Sequence, residues 1–274
     1  MRPVTVVRGR VAGKVPSTWT ANRSHSLLQI AAIVVFLAAW QATSLALPAI
    51  YISTPVGVVQ AFAALLARGT LETAFISSLG EMGVGMLIAG VFGISLGVLM
   101  GRIRILERCL DPIVHFLNAT ALIAVLPLFE IWFGVGATAR IAFIAVISVL
   151  PMVINTLGGI RSVDKNYREV GSAFGLSGTQ RTRWVYVPAA MPYILVGVRI
   201  SLSHALVGMI LAGQEIGQAG LGGLFNIFST YYETADMIAD ILLTMALALF
   251  LFHLLRWIER RFYPWVGGLA TGQR

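Results

Sequence analysis

Long apolar runs separated by short polar segments make up most of this chain. Six such runs stand out: Ser26–Leu47, Leu71–Gly101, Pro112–Phe133, Ile141–Ile160, Tyr193–Gly213 and Met237–Trp257. Each is near or above the roughly 20 residues that a helix needs to cross the hydrocarbon of a bilayer. The fourth is the cleanest, because no Asp, Glu, Lys or Arg interrupts residues 141–160, whereas the fifth and sixth contain or abut Arg199, Glu215, Asp236 and Asp240. The pattern predicts an all-α polytopic transmembrane bundle of about six helices. Between the first two spans, the proline-punctuated segment Leu47–Pro55 leads into a shorter helix, Val56–Ala67, expected along the outer interface. Between the last two, Glu215-Ile216-Gly217 and Ala219–Gly223 predict a flexible outer loop, and Glu233, Asp236 and Asp240 predict an acidic outer face.

Composition agrees with this reading and excludes others. Hydrophobic residues make up 57% of the chain and charged residues 12%, about half the charged fraction of soluble globular proteins. The net charge of +8 is unevenly spread. Threaded alternately from an inside amino terminus, the spans leave 17 of the 20 Lys and Arg residues on one side, and Arg68, Arg140 and Arg199 are the exceptions. The positive-inside rule then places both termini and the 161–190 loop in the cytoplasm. A basic cytoplasmic face accounts for the charge without nucleic acid. Cys109, the only cysteine, excludes intrachain disulfides and thiolate zinc clusters. The expected organisation is an amino-terminal arm, 1–25, a membrane domain, 26–265, and a tail, 266–274.

Two further patterns carry candidate function. Gly85, Ala89, Gly93, Gly97 and Gly101 recur every four residues, lining one face of the second span with small groups that let another helix approach closely. Ionisable groups inside a membrane are costly and therefore functional candidates by default; Glu81, Glu130, Arg199 and His204 are the candidates for a translocation path, with His115 and His253 nearer the cytoplasmic ends. Catalytic and metal-binding signatures such as H-E-x-x-H and C-x-x-C do not occur. Gly9 to Gly13-Lys14 has the wrong spacing for a phosphate-cradling loop. The chain is not expected to be an enzyme, to hydrolyse ATP or to hold a cofactor or metal, so energy must come from a partner.

The polar stretch Arg168-Glu169-Val170-Gly171-Ser172-Ala173-Phe174-Gly175, followed by Val185-Tyr186-Val187-Pro188, reads as a docking surface. Glu169 to Phe174 predicts a short helix with small side chains, Gly175 its left-handed stop, and Pro188 the start of the next apolar helix. The order Glu169, Gly175, Pro188 resembles the cytoplasmic "EAA" loop of binding-protein-dependent ABC-transporter permeases. Val170 and Gly171 stand where that family usually has alanines. Pro127–Gly136, Asn155-Thr156 with Gly159–Asp164, and Ile258-Glu259-Arg260-Arg261 with Pro264-Trp265 are similar to the branch that serves nitrate, taurine, alkanesulfonates and some vitamin precursors. The resemblance covers about residues 26–265.

It implies the type I importer fold in a bacterial inner membrane and two separate ATPase subunits. An extracytoplasmic solute-binding protein and a second permease copy, expected as a homodimer, complete the assembly. It also implies that Glu169, Gly171, Ala173, Gly175 and Pro188 couple the chain to the ATPase. One departure bears on the solute. The family usually has Arg where Glu81 stands, and a carboxylate facing the cavity would repel an anion; alternatively, Glu81 pairs with a cation such as Arg140 or Arg199. Two other function classes are weighed against this one. An ion-coupled secondary transporter would need inverted repeats and titrating buried carboxylates, and a membrane-embedded enzyme would need clustered nucleophiles, acids or metal ligands.

Overall fold

The computed structural model describes residues 22–48, 50–120, 122–164 and 174–262. The 1–21 part of the amino-terminal arm, the tail, and Glu169, Gly171 and Ala173 with the short helix expected there all lie outside the described residues. The helices are α1 (Asn22–Ala46), α2 (Pro55–Ala67), α3 (Thr70–Arg102), α4 (Arg104–Ala119), α5 (Leu126–Phe133), α6 (Ala137–Arg161), α7 (Gly178–Glu215), α8 (Gly220–Thr230) and α9 (Thr234–Phe262). Five of them, α1, α3, α6, α7 and α9, are long and apolar enough to cross a membrane unbroken.

The centre of the bundle is α6, which packs against α3 on one side and α7 on the other. Its contact with α3 follows one register. A Cβ added at Gly85 would lie 2.7 Å from Ile144, at Gly93 2.6 Å from Met152, at Gly97 2.6 Å from Thr156 and at Gly101 2.5 Å from Ile160. Every pair is separated by the same 59 positions, and the fully buried Ala89 and Ser148 fill the intervening step. A constant offset means that α3 and α6 run parallel. Between lipid-embedded helices there is little hydrophobic force, so close van der Waals packing over small residues holds them together.

Against α7 the direction reverses. Gly159 meets Ala190 and Tyr193, Gly208 meets Ile147, and Ser201 Oγ donates 2.7 Å to the buried Ser148 carbonyl. Because α3 and α6 are parallel, the chain must cross the bundle between Arg102 and Ala137. That crossing is not the single span expected over Pro112–Phe133. It is a broken pair: α4, then a 3₁₀ turn at Leu122–Val125 leading into α5, with the two parts 89° apart. Sequence chemistry explains the break. Arg104, Glu107, Arg108, Asp111 and His115 recur on one face of α4, which suits an interface better than hydrocarbon. Thr120 leaves the helix with extended backbone, and Pro127 favours a new first turn at α5.

Pro188 stands where the pattern places it, in the first turn of the α-helical run Val187–Glu215, and a short helical lead-in from Gly178 runs into it. The proline lacks an N–H, and the preceding turn, Thr182–Tyr186, widens to a π-turn in which the Val187 N–H reaches back to the Thr182 carbonyl. Two other expectations change. The predicted flexible loop at 215–223 is packed structure: α8 lies against α7, and a Cβ on Gly222 would overlap the Ile210 carbonyl. Leu221 N–H donates 2.9 Å to the buried Ser78 Oγ, while Gly217 and Gly220 take left-handed backbone to make the turn. Finally, Asp240 belongs to no acidic face, since it is 1% exposed.

The periphery is looser. The short helix predicted at Val56–Ala67 is α2, opened by Pro55 and capped by Thr54 Oγ1, which accepts from the Gly57 N–H at 3.0 Å. Most of α1 is exposed and apolar; it is tied on near its end, where Trp40 Nε1 donates 3.0 Å to the Ser53 carbonyl. Thr234 Oγ1, at the start of α9, donates 2.6 Å to the Ile50 carbonyl. The end of α1 and the start of α9 therefore meet at one end of the bundle, and Arg102, Arg104, Arg161 and Arg181 gather at the other, the basic end.

Gly97→Leu is expected to lower thermal stability of the detergent-purified chain by more than the roughly 1–3 kcal/mol typical of overpacking. Gly90→Leu, on the open side of the same helix, is expected to leave it unchanged. Equal melting of the two variants in a heated size-exclusion assay would contradict the seam.

Candidate functional site

At the end of the bundle opposite the arginines, the α3–α6 register continues for one more step, and there the contact is ionic. Arg140 stands 59 positions after Glu81, and its Nη2 and Nε donate to the two carboxylate oxygens at 2.6 and 2.8 Å. Arg140 Nη1 donates 3.0 Å to the carbonyl of Ile216, just past the last turn of α7. Ser77 Oγ donates to Glu81 at 3.4 Å. The Arg140 and Glu81 side chains are 8% and 12% exposed. This bidentate geometry satisfies both charges, and the third donor occupies a carbonyl that the end of α7 would otherwise leave unpaired. The fourth apolar run of the sequence starts after Arg140, but in the structure α6 begins before it and Arg140 closes the first turn, its charge carried inside by the facing carboxylate.

The basic end is built around the α6–α7 connection. Arg161, the last residue of α6, donates 2.7 Å through Nε to Glu107 on α4 and lies 3.4 Å from Asp111. His115 lies 3.7 Å from that same aspartate. Beyond the undescribed stretch 165–173, Phe174 is 79% exposed and Gly175 has φ +67°, the left-handed conformation expected of a helix stop. Two residues later Ser177 opens α7 with a capping box: its Oγ accepts from the Gln180 N–H, and Gln180 Oε1 accepts from the Ser177 N–H at 2.8 Å. Pro188 follows on an exposed part of α7. Gly175 is thus held between a clamped helix end and a capped helix start.

The four translocation candidates do not converge. Glu81 is used by Arg140. Arg199 pairs with Glu259 of α9. Glu130 on α5 and His204 on α7 are half-buried, with no hydrogen bond between side chains among the described residues. Among the described residues no group of three or more His, Cys, Asp or Glu side chains could hold a metal ion. Sequence reasoning passed over the Arg161–Glu107–Asp111 clamp and the Ser201–Ser148 bond, both of which join residues fifty or more positions apart. Of the two cations weighed as partners of Glu81, the structure pairs it with Arg140, whose distance from Glu81 repeats the spacing between the small residues of α3 and the larger ones of α6.

Comparison with known proteins places this geometry in a family. Residues 89–264 match the family described as binding-protein-dependent transport system inner membrane component. The chain belongs to it, as the permease subunit of an ABC importer in a membrane. Among curated relatives, it is 30% identical to the putative aliphatic sulfonates transport permease protein SsuC of Bacillus subtilis strain 168 over 84% of each chain. It is 31% identical to the bicarbonate transport system permease protein CmpB of Synechococcus elongatus, over 94% of this chain and 98% of that one. It is 28% identical to the taurine transport system permease protein TauC of Escherichia coli K12, over 91% and 93%. Among solved structures, an inward-facing crystal form of the MetNI methionine ABC transporter shares the fold, with a TM-score of 0.62 at 20% identity over 72% of this chain and 95% of that chain.

Glu81→Gln strands a nearly buried guanidinium and is expected to destabilise the chain by about 3–5 kcal/mol, with Glu81→Gln/Arg140→Gln together costing less than the two single changes added. Thermal denaturation of the three variants checks this. Strict additivity would show that the pair is not coupled.

Proposed function

We propose that this chain is the moving membrane part of an ATP-driven importer and that force enters at the α6–α7 connection on its basic, cytoplasmic end. The observation that carries this reading is Gly175, left-handed and exposed between the Arg161 clamp and the capped start of α7. A groove on a separate ATPase subunit would receive the segment Glu169–Gly175, with Gly171 and Ala173 allowing close approach. Closure of two ATPase subunits would then swing α6 and α7, and with them the α3 seam, between inward- and outward-open states. Two permease copies, taken here as a homodimer, and an outer solute-binding protein complete the assembly in a bacterial inner membrane, with both termini of this chain on the cytoplasmic side.

The names of the relatives, for aliphatic sulfonates, bicarbonate and taurine, support a small anionic or zwitterionic solute. Glu81 does not oppose that, since its charge is spent on Arg140 rather than presented to a cavity. The same pairing weighs against an ion-coupled transporter, which would need a carboxylate able to give up and regain a cation during each cycle. Arg199, Glu130 and His204 remain the residues proposed to border the path.

Uptake by vesicles containing the assembled complex is expected to require both internal ATP and the external binding protein; uptake by this chain alone on a proton or sodium gradient would contradict the reading. Gly175→Trp is expected to insert and fold normally while ATPase subunits fail to co-purify and uptake falls to background. Full uptake by that variant would remove the docking role.

A further inference from the structure

The two halves of the broken crossing cover different parts of α6. Phe129 of α5 meets Phe143 edge-on at 5.5 Å and shares a cluster with Ala139, whereas α4, together with Leu122 at the break, packs around Leu150, Val153 and Leu157. Between these two patches Val146 is left 38% exposed. It lies near the middle of the 25 residues of α6, and hence of the bilayer that a helix of this length spans. α7 borders the same gap. Its Leu211 packs with the α5 cluster, and one and two turns earlier on that face stand Val207, 55% exposed, and His204, half-buried. Contacts of Gly208 with Ile147 and of Ser201 with Ser148 put these residues at the depth of Val146. His204 makes no hydrogen bond or ion pair among the described residues.

Thr120, Ile123 and Ala124, at the break, are exposed as well. Hydrocarbon offers no hydrogen-bond partner to backbone outside a regular helix, so irregular chain at mid-depth is stable only where protein or water meets it. The lipid-facing alternative looks different. At the same depth the open face of α3 carries exposed Val84, Leu87, Ile88 and Val91, with no break in the helix, whereas the gap brings together a helix break and an imidazole without a partner. Buried polar groups without partners are costly in hydrocarbon, and water in the gap removes that cost.

Resting on the importer reading, we propose that this gap is a water-filled section of the solute path, and that the imidazole of His204 binds a small solute there through the solute's oxygens. Val146 and Val207 form the apolar walls of the gap, and the break between α4 and α5 supplies its polar backbone. Motion of α6 and α7 against α4 and α5 would widen or close it.

Single cysteines at Val146, Val207 and Leu87, each in a Cys109→Ser background, test this in the full chain, reconstituted in nanodiscs with whatever subunits co-purify. The probe is the charged reagent methanethiosulfonate ethyltrimethylammonium, which reacts with the thiolate, a species that forms in water and not in hydrocarbon. V146C and V207C are expected to be modified about tenfold or more faster than L87C. Equally slow modification of all three would overturn the proposal. So would disulfide formation between two copies through V146C on oxidation, which would give the gap to a contact between subunits. Millimolar ethanesulfonate, taurine or bicarbonate is expected to slow the modification of V146C, and His204→Ala to abolish that protection; protection by none of the three, or undiminished protection in His204→Ala, would take the solute-binding role from His204. ATP-dependent uptake and ATPase co-purification judge the importer reading separately, so a dry gap would leave that reading standing.

Discussion

The contact between α3 and α6 is the constraint on which the rest of the molecule depends. Six steps, each 59 positions apart, run from Glu81–Arg140 at one end to Gly101–Ile160 at the other. Five are steric and one is ionic. The steric steps set how closely the helices approach, because in lipid close packing substitutes for the hydrophobic force that is missing. The ionic step fixes which residues face each other, since sliding either helix by one turn would leave two nearly buried charges unpaired. Parallel α3 and α6 in turn force the chain back across the bundle between them, and the broken α4–α5 crossing is the consequence. The fold then has the same layout as the importer permeases it resembles in structure.

Placing a charge pair at the end of a seam of small residues also distributes rigidity. Arg140 reaches the carbonyl of Ile216, so three helices are joined at one point opposite the basic end. At the basic end the same helices end in exposed arginines, a clamp to α4 and a left-handed glycine. A bundle rigid at one end and accessible at the other is suited to being moved from the accessible end. α6 is central to this because it touches both α3 and α7 and because its last residue, Arg161, is also the anchor of the connection to α7.

Much of this was legible in the sequence, and what was not has physical causes. Apolar length alone identified α1, α3, α6, α7 and α9, because a helix in lipid needs a long uninterrupted run and little else. The every-fourth glycine and alanine positions marked the face that α3 buries. Length failed at Pro112–Phe133, where the hydrophobic average hid the polar face of α4 and the stop at Thr120. Glycine content failed at Gly220–Gly223: glycine serves flexible loops and tight packing alike, and only the neighbouring Ile210 carbonyl and Ser78 hydroxyl distinguish them. Proline was informative at Pro188, which lies in the first turn of the α-helical run Val187–Glu215; the π-turn before it, Thr182–Tyr186, left no sequence signal. At the candidate site, Gly175 could be read from its place before an apolar helix, but the Arg161 clamp joins residues distant in sequence and leaves no local trace.

The central claim is that force reaches this chain from the cytoplasm, through the connection between α6 and α7. A single cysteine at Ser177 in a Cys109→Ser background, exposed to a membrane-impermeant maleimide on intact spheroplasts and again after permeabilisation, tests it most directly. The account predicts labelling only after permeabilisation. Labelling of the intact spheroplasts would put that connection on the outer side and contradict it.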